Sequence, residues 1–347
     1  MGAYSLYMKK PIAIISTDWH LNENNAVELF DIVEQEIALA KEKGVNDVIW
    51  LGDVFDSRIS QRQELLVTLS EWLQMYSDAG LRLHIIPGNH DKTDYTDDSS
   101  FLSPYKYHPN VHLMETPQMC VIGGLRCTFV PYYAQDVWLK KFEEAQAGDL
   151  LFSHQAVQGS INNDGSIVNN SIPTKLFKGF TKVFLGHYHN AQQPAKNVFH
   201  LQSVRQNNYG ENEEKGFTVL YSDTSFEFVK SVFTPFREIK IDVASATPDV
   251  LAKVVKMGAK GVNLRVLLVG DVQTVKSIDR KKFTEAGIAV KTKYTDVEVE
   301  ELDEAVAAQN LTDTDILAKF KKFCEDKNYD YETGYKLLKE IMQWQQE

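Results

Sequence analysis

Three apolar segments in the first 91 residues each end in polar side chains, and two amphipathic segments separate them. The apolar segments are PIAIISTDWH, VNDVIWLGDVFD and LRLHIIPGNHD, which end near Asp18, Asp53 and Asn89. The amphipathic segments show helical apolar spacing and stop at Gly44 and Gly80. This alternation predicts an α/β fold with parallel strands joined by right-handed helical crossovers.

After about residue 110 the apolar segments become shorter, and two of them also end in histidines. They are DLLFSHQA, which contains His154, and KVFLGHYHN, which contains His187 and His189. Ligand sites of open α/β sheets lie off the carboxyl ends of the strands. We therefore expect the polar groups at these strand ends to form one site.

The side chains at the strand ends have the donor chemistry of a metal centre. The candidate ligands are Asp18, His20, Asp53, Asn89, His154, His187 and His189. They offer oxygen and imidazole donors without a thiolate, which suits Mn²⁺, Fe or Zn better than a structural zinc cage. Each residue alone could be a capped strand end or a core histidine. Together they predict a site for two divalent ions, with Asp53 in the bridging place.

Charge is distributed unevenly along the chain, whose formal net charge is −11. Residues 253–293 hold ten Lys or Arg against three Asp or Glu, and residues 296–304 hold six acids. The net charge argues against nonspecific polyanion binding by the whole surface. The local basic excess is compatible with a phosphate-binding surface or with a solvated face.

Membrane insertion and disulfide formation are not expected. The sequence has no run of about 18 apolar residues. Its three cysteines show no CxxC spacing, which fits a reducing compartment. We therefore expect a cytoplasmic protein.

Five sequence blocks resemble, in order, the motifs of the calcineurin-like metallophosphoesterase superfamily. They are STDWHLNENN, LGDVFDSR, PGNHD, FSHQAVQG and FLGHYHN. Within the superfamily, the chain is similar to the SbcD-type nuclease subunits of DNA double-strand-break repair complexes, including those of phages. The stretch VFHLQSVRQNNYGENEEKGFTVL also resembles that family, because a short strand leads to an acidic turn and a Lys-Gly.

The resemblance implies a four-layer αββα metallophosphoesterase sandwich, a small α+β capping domain and C-terminal helices. The corresponding ranges are 1–236 for the nuclease domain, 237–295 for the DNA-capping domain, 296–311 for an acidic linker and 312–347 for a helical partner-binding segment.

The resemblance also implies roles for the site residues. One ion would be held by Asp18, His20, Asp53 and His189, and the other by Asp53, Asn89, His154 and His187. The ions would lower the pKa of an attacking water. His90 would stabilise the phosphoryl oxygens or protonate the leaving oxygen, and Asp91 would orient His90.

The second block distinguishes the branches of the superfamily. Purple acid phosphatases have a tyrosine where this chain has Asp56, and Ser/Thr phosphatases have Asp-Arg-Gly where it has Asp56-Ser57-Arg58. The nuclease branch fits better. Whether Asp56 takes part in catalysis or only supports a ligand is open, and Arg58 is either a phosphate contact or a surface arginine.

The resemblance implies a Mn²⁺-dependent DNA nuclease with exonuclease and endonuclease activity, with Mg²⁺, Fe or Zn as other candidate ions. Arg280, Lys281 and Lys282 of the cap would bind DNA. The amphipathic stretches 313–327 and 331–346 would bind the coiled coil of an SbcC-type ABC ATPase subunit, unless they pack within the chain. A homodimer is also open. The alternatives are a stand-alone phosphodiesterase or phosphatase and a non-catalytic scaffold.

Overall fold

The computed structural model describes residues 9–145, 147–162 and 165–295, together with the single positions Lys321, Cys324 and Tyr331. The predicted acidic linker, 296–311, lies outside the described residues. The predicted helical segment, 312–347, also lies outside them apart from the three single positions, so the partner-binding helices stay a prediction.

Within the described residues the chain forms fifteen strands and six α-helices. The strands are β1 (Pro11–Ser16), β2 (Asp47–Trp50), β3 (Arg82–Ile85), β4 (Val111–Leu113), β5 (Gln118–Ile122), β6 (Leu125–Val130), β7 (Leu150–His154), β8 (Lys182–Gly186), β9 (Gln192–Ala195), β10 (Val198–His200), β11 (Gly216–Tyr221), β12 (Phe226–Lys230), β13 (Phe236–Asp242), β14 (Asn263–Gly270) and β15 (Ala289–Tyr294). The α-helices are α1 (Ala26–Lys43), α2 (Gln63–Asp78), α3 (Gln135–Glu144), α4 (Pro248–Met257), α5 (Val272–Ser277) and α6 (Lys281–Glu285).

The first six-stranded sheet has the order β12-β11-β1-β2-β3-β4. Strands β1 to β4 run parallel to one another, whereas β11 pairs antiparallel with β1 and β12. Helices α1 and α2 connect β1, β2 and β3. Helix α1 ends where Gly44 takes a φ of 66°, a left-handed conformation that suits glycine. The predicted parallel unit of alternating strands and helices is confirmed.

The second six-stranded sheet has the order β5-β6-β7-β8-β10-β9. An apolar core that contains Ile49 of the first sheet and Phe152 of the second joins the two sheets. Another core joins the first sheet to α1 and α2, with Trp50 and Leu69 among its members. A third core joins the second sheet to α3 through Trp138. The layers therefore run helix, sheet, sheet, helix, and the predicted αββα sandwich is confirmed.

A third, three-stranded sheet follows the sandwich in the chain, with the order β13-β14-β15. Strand β14 alternates between buried and half-buried residues, as expected for a sheet with one covered face. Helices α4, α5 and α6 belong to the same part of the chain, so its content is α+β as predicted.

The chain divides into two compact units. The first comprises Met1–Leu268 and Asp279–Thr292, and the second comprises Val269–Ile278 and Lys293–Glu347. The predicted limits of the capping domain and the linker stay predictions. None of the helices in the described ranges is long and apolar enough to cross a membrane.

Candidate metal centre

The loops after β1, β2 and β8 contain strained backbone. Asp18, His20, Asp53 and His187 have φ values between 50° and 90°, a region that non-glycine residues rarely adopt and that costs about 1–3 kcal/mol per residue. Hydrogen bonds between the loops hold this geometry, because Asp18 N–H donates to Gly52 O and His20 N–H donates to Asp53 O, both at 3.0 Å. Strain of this kind concentrates at functional sites.

The first donor group combines the loops after β1 and β8. His20 Nε2 lies 3.0 Å from His189 Nε2, and Asp18 Oδ1 lies 3.9 Å and 3.8 Å from these two nitrogens. Two imidazole nitrogens this close together could bind the same cation. The other oxygen of the Asp18 carboxylate is held by a hydrogen bond, because Thr17 Oγ1 donates to Oδ2 at 2.7 Å.

The second donor group combines strand ends of both sheets. Asp53 Oδ2 lies 3.3 Å from His154 Nε2 and 3.7 Å from His20 Nε2. Asn89 Oδ1 lies 3.0 Å from His154 Nε2 and 2.8 Å from His187 Nδ1. The structure therefore brings all seven predicted ligands together, and Asp53 lies between the two groups.

These donors fit a divalent cation. Asp18 and Asp53 are 0% and 2% exposed, and within the described ranges their ion-pair partners are all histidines. Burial alone would lower the pKa of His154, but the charge of Asp53 raises it to about 9, so the site favours positive charge. Carboxylate, amide and imidazole donors without thiolate suit a transition metal.

Three overlapping sets of side chains offer ligand atoms that all lie within 4.8 Å of one another. The sets are Asp18 with His20 and His189, His20 with Asp53 and His90, and Asp18 with Asp53 and His154. The second set includes His90, which the sequence interpretation placed outside the ligands. The geometry thus allows His90 to act either as a ligand or as a neighbour of the bound ions.

Both ring nitrogens of His90 have partners. Nδ1 lies beside the carbonyl oxygen of Asp56, and Nε2 lies 2.6 Å from Arg58 Nη2. Because a guanidinium only donates, these partners assign the proton to Nδ1 and leave Nε2 as the acceptor. Burial lowers the pKa of His90 more than the charge of Asp53 raises it, so the ring is neutral near pH 7. Arg58 therefore lies at the site rather than apart from it.

Asp56 contacts a candidate ligand. Its Oδ1 lies 3.4 Å from His20 Nδ1, and its side chain is 51% exposed. The approach of His20 is the largest influence on Asp56 and lowers the pKa of its carboxyl group. This position favours a supporting role for Asp56 toward His20.

Asp91 makes different contacts from those expected. Its buried carboxylate accepts hydrogen bonds from the backbone N–H groups of Gly88, Val54 and Phe55 at 2.9, 3.3 and 3.0 Å. Burial raises the pKa of Asp91 to about 6, and the charge of Asp53 adds to this effect. Asp91 thus joins the loops after β2 and β3, and it braces the backbone around His90 instead of its ring.

Glu211 and Lys215 belong to the site, although the sequence interpretation gave them no role. Glu211 Oε1 accepts from His189 Nδ1 at 2.7 Å, and Lys215 Nζ lies 3.0 Å from Glu211 Oε2. The available signal was the acidic turn that precedes Lys215-Gly216. Nothing in its spacing indicates which acid of the turn meets a histidine.

The predicted DNA-binding residues lie on or beside α6. Lys281 Nζ lies 3.7 Å from Glu285, and Lys282 Nζ lies 3.7 Å from Asp279. Both lysines are well exposed, at 81% and 70% of their side chains. Pairing with acids reduces the local field but leaves the ammonium groups accessible to solvent.

Comparison with known proteins agrees with this geometry. The family model described as calcineurin-like phosphoesterase matches residues 11–191. The chain is 26% identical over 234 residues to "Exonuclease subunit 1" of Enterobacteria phage T4, which covers 64% of this chain and 68% of that protein. It is 24% identical over 217 residues to "Putative phosphoesterase 244L" of Invertebrate iridescent virus 6, which covers 57% of this chain and 73% of that protein.

Proposed function

The chain belongs to the calcineurin-like phosphoesterase family, and on that premise we propose that it is a Mn²⁺-dependent DNA nuclease subunit of a recombination or repair complex. The family and the candidate metal groups support a metal-dependent hydrolase of phosphoester bonds. The finer proposal adds exonuclease and endonuclease activity on DNA. The observation that carries the metal-dependent chemistry is the convergence of seven oxygen and imidazole donors at strand ends of both sheets.

The residues would divide between two ions, with Asp53 in both ligand sets. Asp18, His20 and His189 would hold the first ion with Asp53, and Asn89, His154 and His187 would hold the second with Asp53. When bound, two such ions polarise a phosphodiester and generate the attacking nucleophile from water at neutral pH. Several imidazoles in one site favour Mn²⁺ over Mg²⁺, since Mg²⁺ prefers oxygen ligands and water.

His90 and Arg58 would act on the phosphodiester itself. The guanidinium of Arg58 can donate to two phosphoryl oxygens at once. His90 presents Nε2 toward the site, where it can accept a hydrogen bond or, once protonated, donate to the leaving oxygen. The Asp56 carbonyl beside Nδ1 holds the ring in that orientation. Arg58 must leave Nε2 before either group can serve the substrate.

A nucleic acid suits the rim of the site. Two half-buried tyrosines contact His187, since the Tyr132 ring stacks at 6.0 Å and the Tyr188 ring meets it edge-on at 5.2 Å between centroids. Aromatic side chains of this kind support nucleobases by stacking. The similarity to a phage exonuclease subunit also favours DNA over a small phosphate ester.

The proposed partners are DNA, through the basic residues of a capping domain at 237–295, and an ABC-type ATPase of the SbcC type, through residues 312–347. A homodimer through the helices of the sandwich is a further candidate assembly. We place the protein in the cytoplasm, where DNA is available as substrate.

One alternative has a specific observation in its favour. The second relative is named only as a phosphoesterase, and the net charge of −11 does not favour a polyanion. A stand-alone phosphodiesterase or phosphatase acting on a small molecule or nucleotide would fit both observations. A non-catalytic scaffold fits poorly, because all seven donors are present.

The deciding experiment compares DNA with a small diester. Purified protein with Mn²⁺ is incubated with end-labelled duplex DNA, single-stranded DNA and bis-p-nitrophenyl phosphate, and the Asp53→Asn variant serves as the control. We expect cleavage of DNA at rates at least comparable with those on the chromogenic diester, and neither reaction in the control. Hydrolysis of the diester alone would support the small-molecule alternative.

A further inference from the structure

His189 is held at two points by a buried ion pair. Glu211 Oε1 accepts from its Nδ1 at 2.7 Å. Lys215 Nζ donates to the backbone carbonyl of the same residue and, at 3.0 Å, to the side-chain oxygen of Asn190. One member of the pair therefore fixes the imidazole, and the other fixes the backbone that carries it.

The pair is deeply buried. The Glu211 and Lys215 side chains are 1% and 0% exposed, and their charged atoms lie 3.0 Å apart. Asn208 Nδ2 donates to Glu211 Oε1 at 2.8 Å, and the backbone N–H of Asn207 donates to Oε2 at 3.2 Å. A buried ion pair is rarely more stable than apolar residues of the same size. Stability alone is therefore a weak reason for charges at these positions.

The contact with Glu211 decides which nitrogen of His189 can bind a cation. A carboxylate only accepts, so Nδ1 must carry the proton, and in the neutral ring Nε2 then carries the lone pair. Nε2 is the atom that lies 3.0 Å from His20 Nε2 and 3.8 Å from Asp18 Oδ1. A ligand histidine is usually oriented in this way by a partner on its other nitrogen.

We propose that Glu211 and Lys215 are positioning residues for the metal centre, which hold His189 in the tautomer and orientation needed to bind a divalent cation with Asp18 and His20. The inference rests on the proposed function only in assuming that this centre binds metal. The competing explanation is structural: the pair would only stabilise the turn before β11.

Metal affinity and tautomer state separate the two explanations. The Glu211→Gln variant leaves Lys215 buried without its partner, so the Glu211→Gln/Lys215→Met double variant is the more informative one. The control is Glu36→Gln, which replaces another buried glutamate, bonded to Trp50 Nε1 and the Tyr76 hydroxyl and not to a candidate ligand. Mn²⁺ binding to each purified full-length chain is measured by calorimetry and by electron paramagnetic resonance.

We expect two Mn²⁺ per wild-type and Glu36→Gln chain, and one site about 10–100-fold weaker in the double variant. Unchanged affinity at both sites of a folded double variant would overturn the inference and leave the proposed function standing. A wild-type chain that binds no Mn²⁺ would overturn both.

A second measurement does not depend on the Glu211 and Lys215 variants folding. Long-range ¹⁵N–¹H correlations of histidine in the metal-free wild-type protein report which ring nitrogen carries the proton. We expect the Nδ1–H tautomer at His189, with its signal assigned by loss in the His189→Asn variant. An Nε2–H tautomer would refute the positioning role.

Discussion

Asp53 Oδ2 lies 3.3 Å from His154 Nε2, and this contact joins the two sheets of the sandwich. Asp53 follows β2 in the first sheet, and His154 is the last residue of β7 in the second. The carboxyl ends of β2 and β7 therefore meet, as the 2.6 Å distance from His154 Nδ1 to Leu51 O also indicates. The contact therefore places Asp53 where donors from both sheets can share one carboxylate.

Replacement of Asp53 should release metal. The Asp53→Asn variant loses the only carboxylate common to both proposed ligand sets, so we expect at most one Mn²⁺ per chain. Hydrolysis of bis-p-nitrophenyl phosphate should fall by a factor of about 10³ or more, because the two-ion arrangement is lost. Elemental analysis after gel filtration measures the metal content.

The same strand offers a matched control for this variant. Asp47 lies at the opposite end of β2, where it pairs with Arg82 and His84. Asp47→Asn should reduce stability without reducing metal content. Two ions in Asp53→Asn, or loss of metal from Asp47→Asn, would contradict the bridging role.

Replacement of His90 should separate catalysis from metal binding. If His90 meets the substrate rather than an ion, His90→Ala keeps two Mn²⁺ and loses at least about 10²-fold in cleavage, the usual effect of removing a general acid. Anomalous scattering at the manganese edge counts the ions. Loss of an ion would instead assign His90 to the ligands, as its distance of 4.0 Å from Asp53 Oδ2 allows. His108→Ala, at a half-buried histidine outside the site, controls for the substitution itself.

The fold could be predicted because local patterns and topology agree. Apolar segments bounded by glycines and polar ends define β1, α1, β2, α2 and β3, and parallel order follows from their alternation. The second sheet was harder to predict, because its short strands need partners far along the chain. Strand β10, for example, pairs with both β8 and β9, and no local pattern shows that arrangement.

The candidate ligands could also be predicted, but their supporting contacts could not. Strand ends determine where Asp18 and Asn89 lie, whereas side-chain hydrogen bonds depend on packing. Glu211 reaches His189 from 22 residues away. Asp91 is adjacent to His90 in sequence, yet the backbone directs its carboxylate to other loops. The adjacency of Asp91 and His90 in the sequence predicted a contact between their side chains. The Asp91 carboxylate instead accepts hydrogen bonds from backbone N–H groups.

A buried glutamate in the sandwich should make the free energy of unfolding depend on pH. Glu36 on α1 is fully buried, and burial raises its pKa to about 7, despite hydrogen bonds from Tyr76 and Trp50 that lower it. The folded state therefore holds a proton that the unfolded chain releases above its ordinary pKa of 4.5. This contribution is fully present below about pH 4.5 and is lost as the pH rises through about 7.

Comparison with the Glu36→Gln variant isolates that contribution. The variant cannot titrate at this position, so the wild-type free energy of unfolding should fall relative to it by about 2–3 kcal/mol between pH 5 and pH 8. Urea unfolding of metal-free protein, followed by tryptophan fluorescence, measures the difference. Parallel pH profiles of the two proteins would show that Glu36 titrates normally.

The choice of ion should follow the donor set. Four of the seven proposed ligands are imidazoles, so we expect several-fold higher activity with Mn²⁺ than with Mg²⁺ at equal concentration. His154→Asp replaces an imidazole by an oxygen donor. If the variant still binds two ions, its activity with Mn²⁺ should exceed its activity with Mg²⁺ by a smaller factor than in the wild type. Equal activity of the wild type with both ions would contradict the proposed ligand set.

Charges on and beside α6 should contribute to DNA binding but not to chemistry. Replacing Arg280, Lys281 and Lys282 together by Gln should weaken DNA binding and flatten its salt dependence. Each lost phosphate contact reduces the slope of log K against log salt by about 0.9. The reduction should be smaller than for three free cations, because Lys281 and Lys282 already pair with acids. Hydrolysis of bis-p-nitrophenyl phosphate should be unchanged.

The matched control replaces the exposed Lys140, Lys175 and Lys178 of the sandwich, which removes the same net charge. Equal loss of affinity in both triple variants would mean that only net charge matters and that residues 280–282 form no DNA-binding surface.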